Sequence, residues 1–119
     1  MKKFRKDRMA SLIRDLLSQM ILRDVEVAGA LITITEVEVT EKLDYAKVNI
    51  SVIPSAKSDA ALKVLKERAG EFQFELVRKM NVRPIPRISF EIDRGPEKAA
   101  LIEKLLIEAE PKDGNETSS

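Results

Sequence analysis

The segment SDAALKVLKERAGEFQFELVRKMNVRPIPRISFEID, Ser58 to Asp93, sets the architecture. Leu62, Leu65, Ala69, Phe72, Leu76 and Met80 recur at steps of three and four, which keeps one apolar stripe on a single helical face. The stripe runs through Gly70, and glycine in a helix interior is unfavourable by roughly 1 kcal/mol relative to alanine. A glycine inside an unbroken stripe predicts two tandem helices with a kink between them. Two readings of Gly70 stand side by side. It lets the two helices pack closely or caps the first, or it opens a kink whose backbone N–H groups lie beside Arg68, Arg78, Lys79 and Arg83. Arg83-Pro84-Ile85-Pro86 then ends the helical pattern, because proline removes a donor and pushes the preceding residue out of the α region. Ile88, Phe90 and Ile92 alternate with polar residues and predict a short strand.

Upstream, Ala30–Thr40 and Asp44–Ile53 are β-rich runs joined by a turn at Glu41-Lys42-Leu43. By strict alternation Ile32 and Ile34 fall on one face and Val37 and Val39 on the other, which predicts a bulge or strong twist near Thr35-Glu36. In the second run Ala46, Val48, Ile50 and Val52 point inward and Lys47, Asn49 and Ser51 outward, giving an antiparallel hairpin with one solvated face. Pro54–Lys57 reads as a loop, and Ser58 or Asp59 can N-cap the helix that follows. Further upstream, Lys2–Leu22 is an amphipathic helix with Met9, Leu12, Ile13, Leu16, Leu17, Met20 and Ile21 on its apolar face. Downstream, Asp93-Arg94-Gly95 turns the chain and Pro96 suits the first turn of a last helix. Leu101, Ile102, Leu105, Leu106 and Ala109 give that helix a short apolar face. The tail PKDGNETSS, 111–119, is polar and is expected to be disordered. The domain is therefore placed at 1–110.

A strand, two helices joined by a tight turn and a second strand form the core of the KH fold. KH domains clamp a nucleic-acid backbone at that turn, usually through a GxxG loop. No GxxG occurs here, the glycines being Gly29, Gly70, Gly95 and Gly114.

The 119 residues suit one domain, and 44% hydrophobic with 34% charged residues is a globular composition. Without cysteine or histidine, disulfides, cysteine nucleophiles, histidine bases and the common zinc sites are excluded. No apolar run approaches a membrane span or a signal h-region, so the expected location is the cytoplasm. A formal net charge of +1 says little, but its distribution is uneven. Met1–Arg14 carries Lys2, Lys3, Arg5, Lys6, Arg8 and Arg14 against Asp7 alone, whereas Glu97–Ser119 is net acidic. Basic residues in the first turns oppose the helix dipole, which points to a purpose other than helix stability. Lys63–Arg94 is a second basic segment, with eight basic residues against five acidic ones. The two segments could form one phosphate-facing surface; the plainer reading is a solvated surface.

There is no P-loop, no G-x-G-x-x-G and no nucleophile elbow. Glu36 and Glu38 share a strand face, where surface charge is far commoner than catalysis. The aromatic residues are Phe4, Tyr45, Phe72, Phe74 and Phe90. Phe72 and Phe90 fit core positions; Phe74 falls off the stripe and is either exposed for stacking or covered by the last helix. So few aromatics favour recognition of backbone and shape.

With these features assembled, the chain resembles the ribosome-binding factor A family over roughly Arg5–Leu106. The resemblance rests on Arg5-x-x-Arg8, on the hairpin ITITEVEVTEKLDYAKVNISV, and most of all on the helix–Gly–helix run followed by MNVRPIPRISFEID. There the pattern R-x-x-P-x-[LI]-x-F-x-x-D is met by Arg83, Pro86, Ile88, Phe90 and Asp93. It implies an α+β, type II KH-like domain, α-β-β-α-kink-α-β-α, with a three-stranded mixed sheet and helices on one face. It further implies an Ala-x-Gly kink in place of GxxG, with Gly70 as the kink glycine. Three departures stand out: Arg68 occupies the kink-alanine position, Gln73 a common arginine position, and Arg87 an acidic one.

The implied function is a non-enzymatic assembly factor. It binds the free 30S subunit and its 16S rRNA, and assists late maturation, including the rRNA 5′ end and growth in the cold. Expected RNA-contacting residues are Lys2, Lys3, Arg5, Lys6 and Arg8 at the N-terminus, and Arg68, Ala69, Gly70, Gln73, Arg78, Lys79 and Arg83 around and beyond the kink. No cofactor, metal, membrane or small-molecule substrate is expected, and the chain is expected to be a monomer. The alternatives are a general RNA-binding KH-like protein and a protein–protein adaptor using the hairpin or the acidic last helix.

Overall fold

A computed structural model describes residues 2–109, so the tail expected at 111–119 lies outside the described residues. In chain order the elements are α1 (Lys2–Asp24), β1 (Leu31–Val39), β2 (Tyr45–Ile53), a 3-10 turn (Ser55–Lys57), α2 (Ser58–Glu67), α3 (Ala69–Lys79), β3 (Arg87–Ile92) and α4 (Gly95–Ala109). The sheet order is β1-β2-β3, with β1 antiparallel and β3 parallel to β2. Parallel neighbours need a long crossover, and α2 with α3 supplies it.

The phase change read in β1 is a bulge. Pairing steps from Ile34 opposite Ile50 to Glu36 opposite Asn49, leaving Thr35 without a ladder partner. That single extra residue returns Val37 and Val39 to the face already occupied by Ile34, and all three are buried. The freed Thr35 hydroxyl donates to the Asp93 carboxylate at 2.7 Å, with the Asn49 carbonyl at 3.2 Å. Asp93 also accepts the Gly95 N–H at 2.9 Å, so one carboxylate joins the bulge to the start of α4. The Thr35 bond, and then the Gly95 amide, hold Asp93 below the usual carboxylate range.

One face of the sheet carries Ala46, Val48, Ile50, Val52, Ile88 and Phe90 into a core closed by α1, α2 and α3. Ile13, Leu17, Leu65 and Leu76 are fully buried there. Phe72 and Phe90 meet edge to face, centroids 6.2 Å apart and planes at 72°. Such a geometry contributes about 0.5–1.5 kcal/mol beyond area burial.

Three local expectations change. Asn49, placed on the solvated face, is buried; its Nδ2 donates to Glu38 at 2.8 Å and a Glu38–Lys47–Glu91 ladder covers that strip. Neither Ser58 nor Asp59 is the N-cap of α2; Lys57 is, because the 3-10 turn starts the helical winding early, and Ser58 sits buried in the first turn. Among the described residues its hydroxyl has no hydrogen-bond partner. Finally, α4 does not pack on the sheet as the other helices do: Leu101, Ile102, Leu105, Leu106 and Ile107 are all more than half exposed.

Candidate nucleic-acid interface

The two helices of the crossover are interrupted at Arg68, whose φ of −98° and ψ of 3° are off the helical values. The kink therefore falls two residues before Gly70, the glycine expected to make it. Gly70 lies in the first turn of α3 and is exposed, and a Cβ built on it would meet nothing within 4 Å. Close helix packing is thus not what the glycine supplies. The turn that holds it is exposed at the N-terminus of α3. The first N–H groups of a helix have no intrahelical acceptor, and among the described residues no side chain caps this one. Ala69 beside it is half-buried against the core.

Arg68 works inward. Its Nη1 donates to the Asp24 carbonyl at 2.7 Å, its Nε and Nη2 reach Glu71 Oε1 at 3.1 and 2.9 Å, and its guanidinium lies 5.8 Å from the Phe72 ring centre. It thereby satisfies a carbonyl at the C-terminal end of α1 from the start of α3. Glu71 in turn places a carboxylate at the positive end of α3. Gln73 is also engaged within the fold: its Nε2 donates to the Pro86 carbonyl and its Oε1 accepts the Ile88 N–H, both at 2.9 Å. It fixes where β3 begins. Next to this end, Arg23 forms a fork with Glu75 (3.1 and 2.9 Å) and bonds Asp24, while Lys79 reaches Glu75 at 3.2 Å. Arg23 holds both carboxyls below their ordinary range, aided at Glu75 by Lys79. These partners lock the C-terminal end of α1 onto α3.

Because α1 and α3 run in opposite directions, the N-terminal end of α1 meets the chain beyond α3. There Arg5, Arg8 and Arg83 converge on one hollow of about 340 Å³, floored by Met9, Leu12, Leu43 and Val82. Residues 75 and 78 positions apart in sequence thus meet, and among the described residues no acidic side chain lines the hollow. Leu43 takes part because it occupies the left-handed region, φ 61°, in the β1–β2 turn, with its side chain buried. Arg83 is steadied by bonds from Nη1 to the Val82 carbonyl at 3.1 Å and the Met80 carbonyl at 3.4 Å. Arg5 also borders a neighbouring hollow of about 450 Å³ with Glu41, Lys42, Leu43 and Pro84. Lys6 lies to the side, paired with Glu41 at 3.4 Å. The side chains of Lys2 and Lys3 lie outside those described.

Along the outer face of α3, Phe74 is 65% exposed and the Arg78 guanidinium covers it at 5.8 Å. Of the two readings of Phe74, exposure is the one observed. The expected residues therefore fall into two groups at opposite ends of α3, about 16 Å apart by helical rise. Sequence reasoning missed Leu12, Leu43 and Val82. Leu12 has the period of a core residue yet is 42% exposed, because it faces the hollow rather than the sheet. Among the described residues no cluster of His, Cys, Asp and Glu could hold a metal, and no helix is long and apolar enough to cross a membrane.

The element order, the mixed three-stranded sheet and the interrupted helix pair define a KH-like α+β domain with basic residues at both ends of the second crossover helix. The sequence profile of ribosome-binding factor A matches residues 5–106, and the chain belongs to that family. Ribosome-binding factor A of Coprothermobacter proteolyticus is 34% identical over 114 residues, covering 95% of this chain and 83% of that protein. The Caldanaerobacter subterraneus protein of the same name is 32% identical over 116 residues, covering 95% of each. In three dimensions the chain is similar to the crystal structure of ribosome-binding factor A from Thermus thermophilus. The TM-score is 0.65 at 20% identity, over 76% of this chain and 97% of that one.

Proposed function

We propose that the protein is a cytoplasmic, non-enzymatic assembly factor that binds the free 30S subunit through its 16S rRNA and assists late maturation, including the rRNA 5′ end. The observation that carries this reading is the convergence of Arg5, Arg8 and Arg83 on one hollow that, among the described residues, has no acidic lining, in a chain of the ribosome-binding factor A family. Planar guanidiniums suit phosphate, and three on one surface would give binding a steep salt dependence. The exposed first turn of α3 offers a second phosphate contact at Gly70. Arg78 and Lys79 lie in the last turn of α3, toward Arg83, with Lys79 paired to Glu75.

The test is co-sedimentation of the full chain with purified small subunits, large subunits and assembled ribosomes across a salt series. Selective, salt-sensitive binding to free small subunits is expected. Equal binding to every RNA-containing particle would replace the reading with that of a general RNA binder. A second reading rests on α4, whose exposed Leu101, Ile102, Leu105, Leu106 and Ile107 suit a protein partner. Under it, Leu101→Asp with Leu105→Asp abolishes subunit binding and salt has little effect.

A further inference from the structure

Three arginines around an apolar floor are more than phosphate alone requires. A phosphate site needs charge and N–H donors; it has no use for exposed aliphatic surface, which water avoids. Here Leu12 and Val82 are each 42% exposed and close the hollow together with buried Met9 and Leu43. Its volume of about 340 Å³ lies at the small end of ligand pockets, which span about 300–1,000 Å³. Among the described residues its lining charge is wholly positive, and Arg83 is fixed beside it by bonds to the Val82 and Met80 carbonyls.

We infer that this hollow takes one unpaired nucleobase of an RNA strand, seated on Leu12 and Val82, with the flanking phosphates on Arg5, Arg8 and Arg83. This rests on the RNA-binding reading above and adds a base to it. The chemistry is complementary on both counts. A base presents a flat apolar face to the floor and to a guanidinium plane, and the backbone on either side presents anions to the rim. An unpaired base can be splayed from its neighbours in this way, whereas a paired one cannot. Among the described residues no carboxylate, amide or hydroxyl side chain lines the hollow, so little reads the base edge, and the site selects unpaired over paired RNA rather than one base over another. The adjoining hollow, reached past Arg5 and Leu43, brings Lys42 alongside the next phosphate, with the Glu41 carboxylate on its rim.

The test uses the full chain and two fluorescein-labelled probes of ten nucleotides: oligouridylate, and the same ribose-phosphate backbone carrying abasic positions throughout. Wild type is expected to bind the base-bearing probe about tenfold more tightly. The charge-neutral double variant Leu12→Ser, Val82→Ser is expected to bind both probes alike, at the abasic level. Both side chains are partly exposed, and a thermal melt verifies that the variant is folded. A 2-aminopurine placed in the oligomer is expected to brighten on binding wild type, as its base leaves the stack for an aliphatic site, and not on binding the variant. Equal affinity of wild type for the two probes would overturn the base site while leaving phosphate binding intact. A tenfold preference that survives in the double variant would also overturn it, because the base would then sit elsewhere. Displacement of the probes by an equimolar acidic decapeptide would assign the hollow to a protein segment instead. Failure of wild type to bind any probe or subunit at low salt would remove the RNA reading itself.

Discussion

Replacing Gly70 by alanine separates what this residue does for the fold from what it does for binding. Beyond its chain neighbours and its own helix backbone, a Cβ at this position meets no atom of the described residues within 4 Å, and the backbone is not in the left-handed region. The substitution therefore adds no clash and no strain. It removes the extra freedom glycine has in the unfolded chain and improves helix propensity, together worth about 0.5–1 kcal/mol of added stability. In a domain of this size that raises Tm by about 2–4 °C. If the first amides of α3 hold a phosphate as proposed, a methyl on this exposed turn crowds its approach. Loss of one charge-assisted hydrogen bond corresponds to about tenfold in affinity. Circular-dichroism melts and urea titrations read the first effect; salt-controlled co-sedimentation with small subunits reads the second. A loss of stability would refute the reasoning from open space, since some contact must then require the missing side chain. A gain in stability with undiminished binding would refute the placement of a phosphate at the kink.

Three further outcomes follow from the same geometry. Changing Arg5, Arg8, Arg78, Lys79 and Arg83 together to alanine is expected to weaken subunit binding and to flatten log K against log salt by about 3–4, at about 0.7 per phosphate contact on single strands. An unchanged slope in co-sedimentation would mean these side chains face no phosphate. Ser58→Ala is expected to raise stability by about 1 kcal/mol in urea unfolding, because a buried hydroxyl that finds no partner among the described residues costs its lost hydration. Stability also depends on acid. Asp24, Glu75 and Asp93 have folded-state pKa values lowered from ordinary values of 3.8, 4.5 and 3.8, so their contribution is fully present above about pH 5 and is lost as pH falls through the folded values. Urea midpoints measured from pH 7 to pH 2 should hold level and then fall, and Arg23→Met should reduce that fall while leaving the part due to Asp93.

The pattern of apolar residues by itself determined the elements and their order. Steps of three and four in α1 and across α2 and α3, and steps of two in β2 and β3, are consequences of helical and pleated geometry that any chain must obey. The break of phase at Thr35 was legible for the same reason: alternation cannot skip a residue without a bulge. The motif ending in Arg83, Pro86, Ile88, Phe90 and Asp93 marked the family. Polar residues carry no such period, and their roles were settled only by what folding brings near them. Arg68 and Gln73 read as exposed contacts; in the folded chain they bond the Asp24 carbonyl, the Pro86 carbonyl and the Ile88 amide. Gly70 read as the kink, yet the interruption falls at Arg68, where the guanidinium is held by Asp24 and Glu71. Leu12 read as core, and the antiparallel run of α1 against α3 leaves it on the floor of a hollow instead. Arg5, Arg8 and Arg83 could be named from sequence as basic residues. That they share one surface depends on which ends of α1 and α3 meet, and that depends on long-range packing, which no local period encodes.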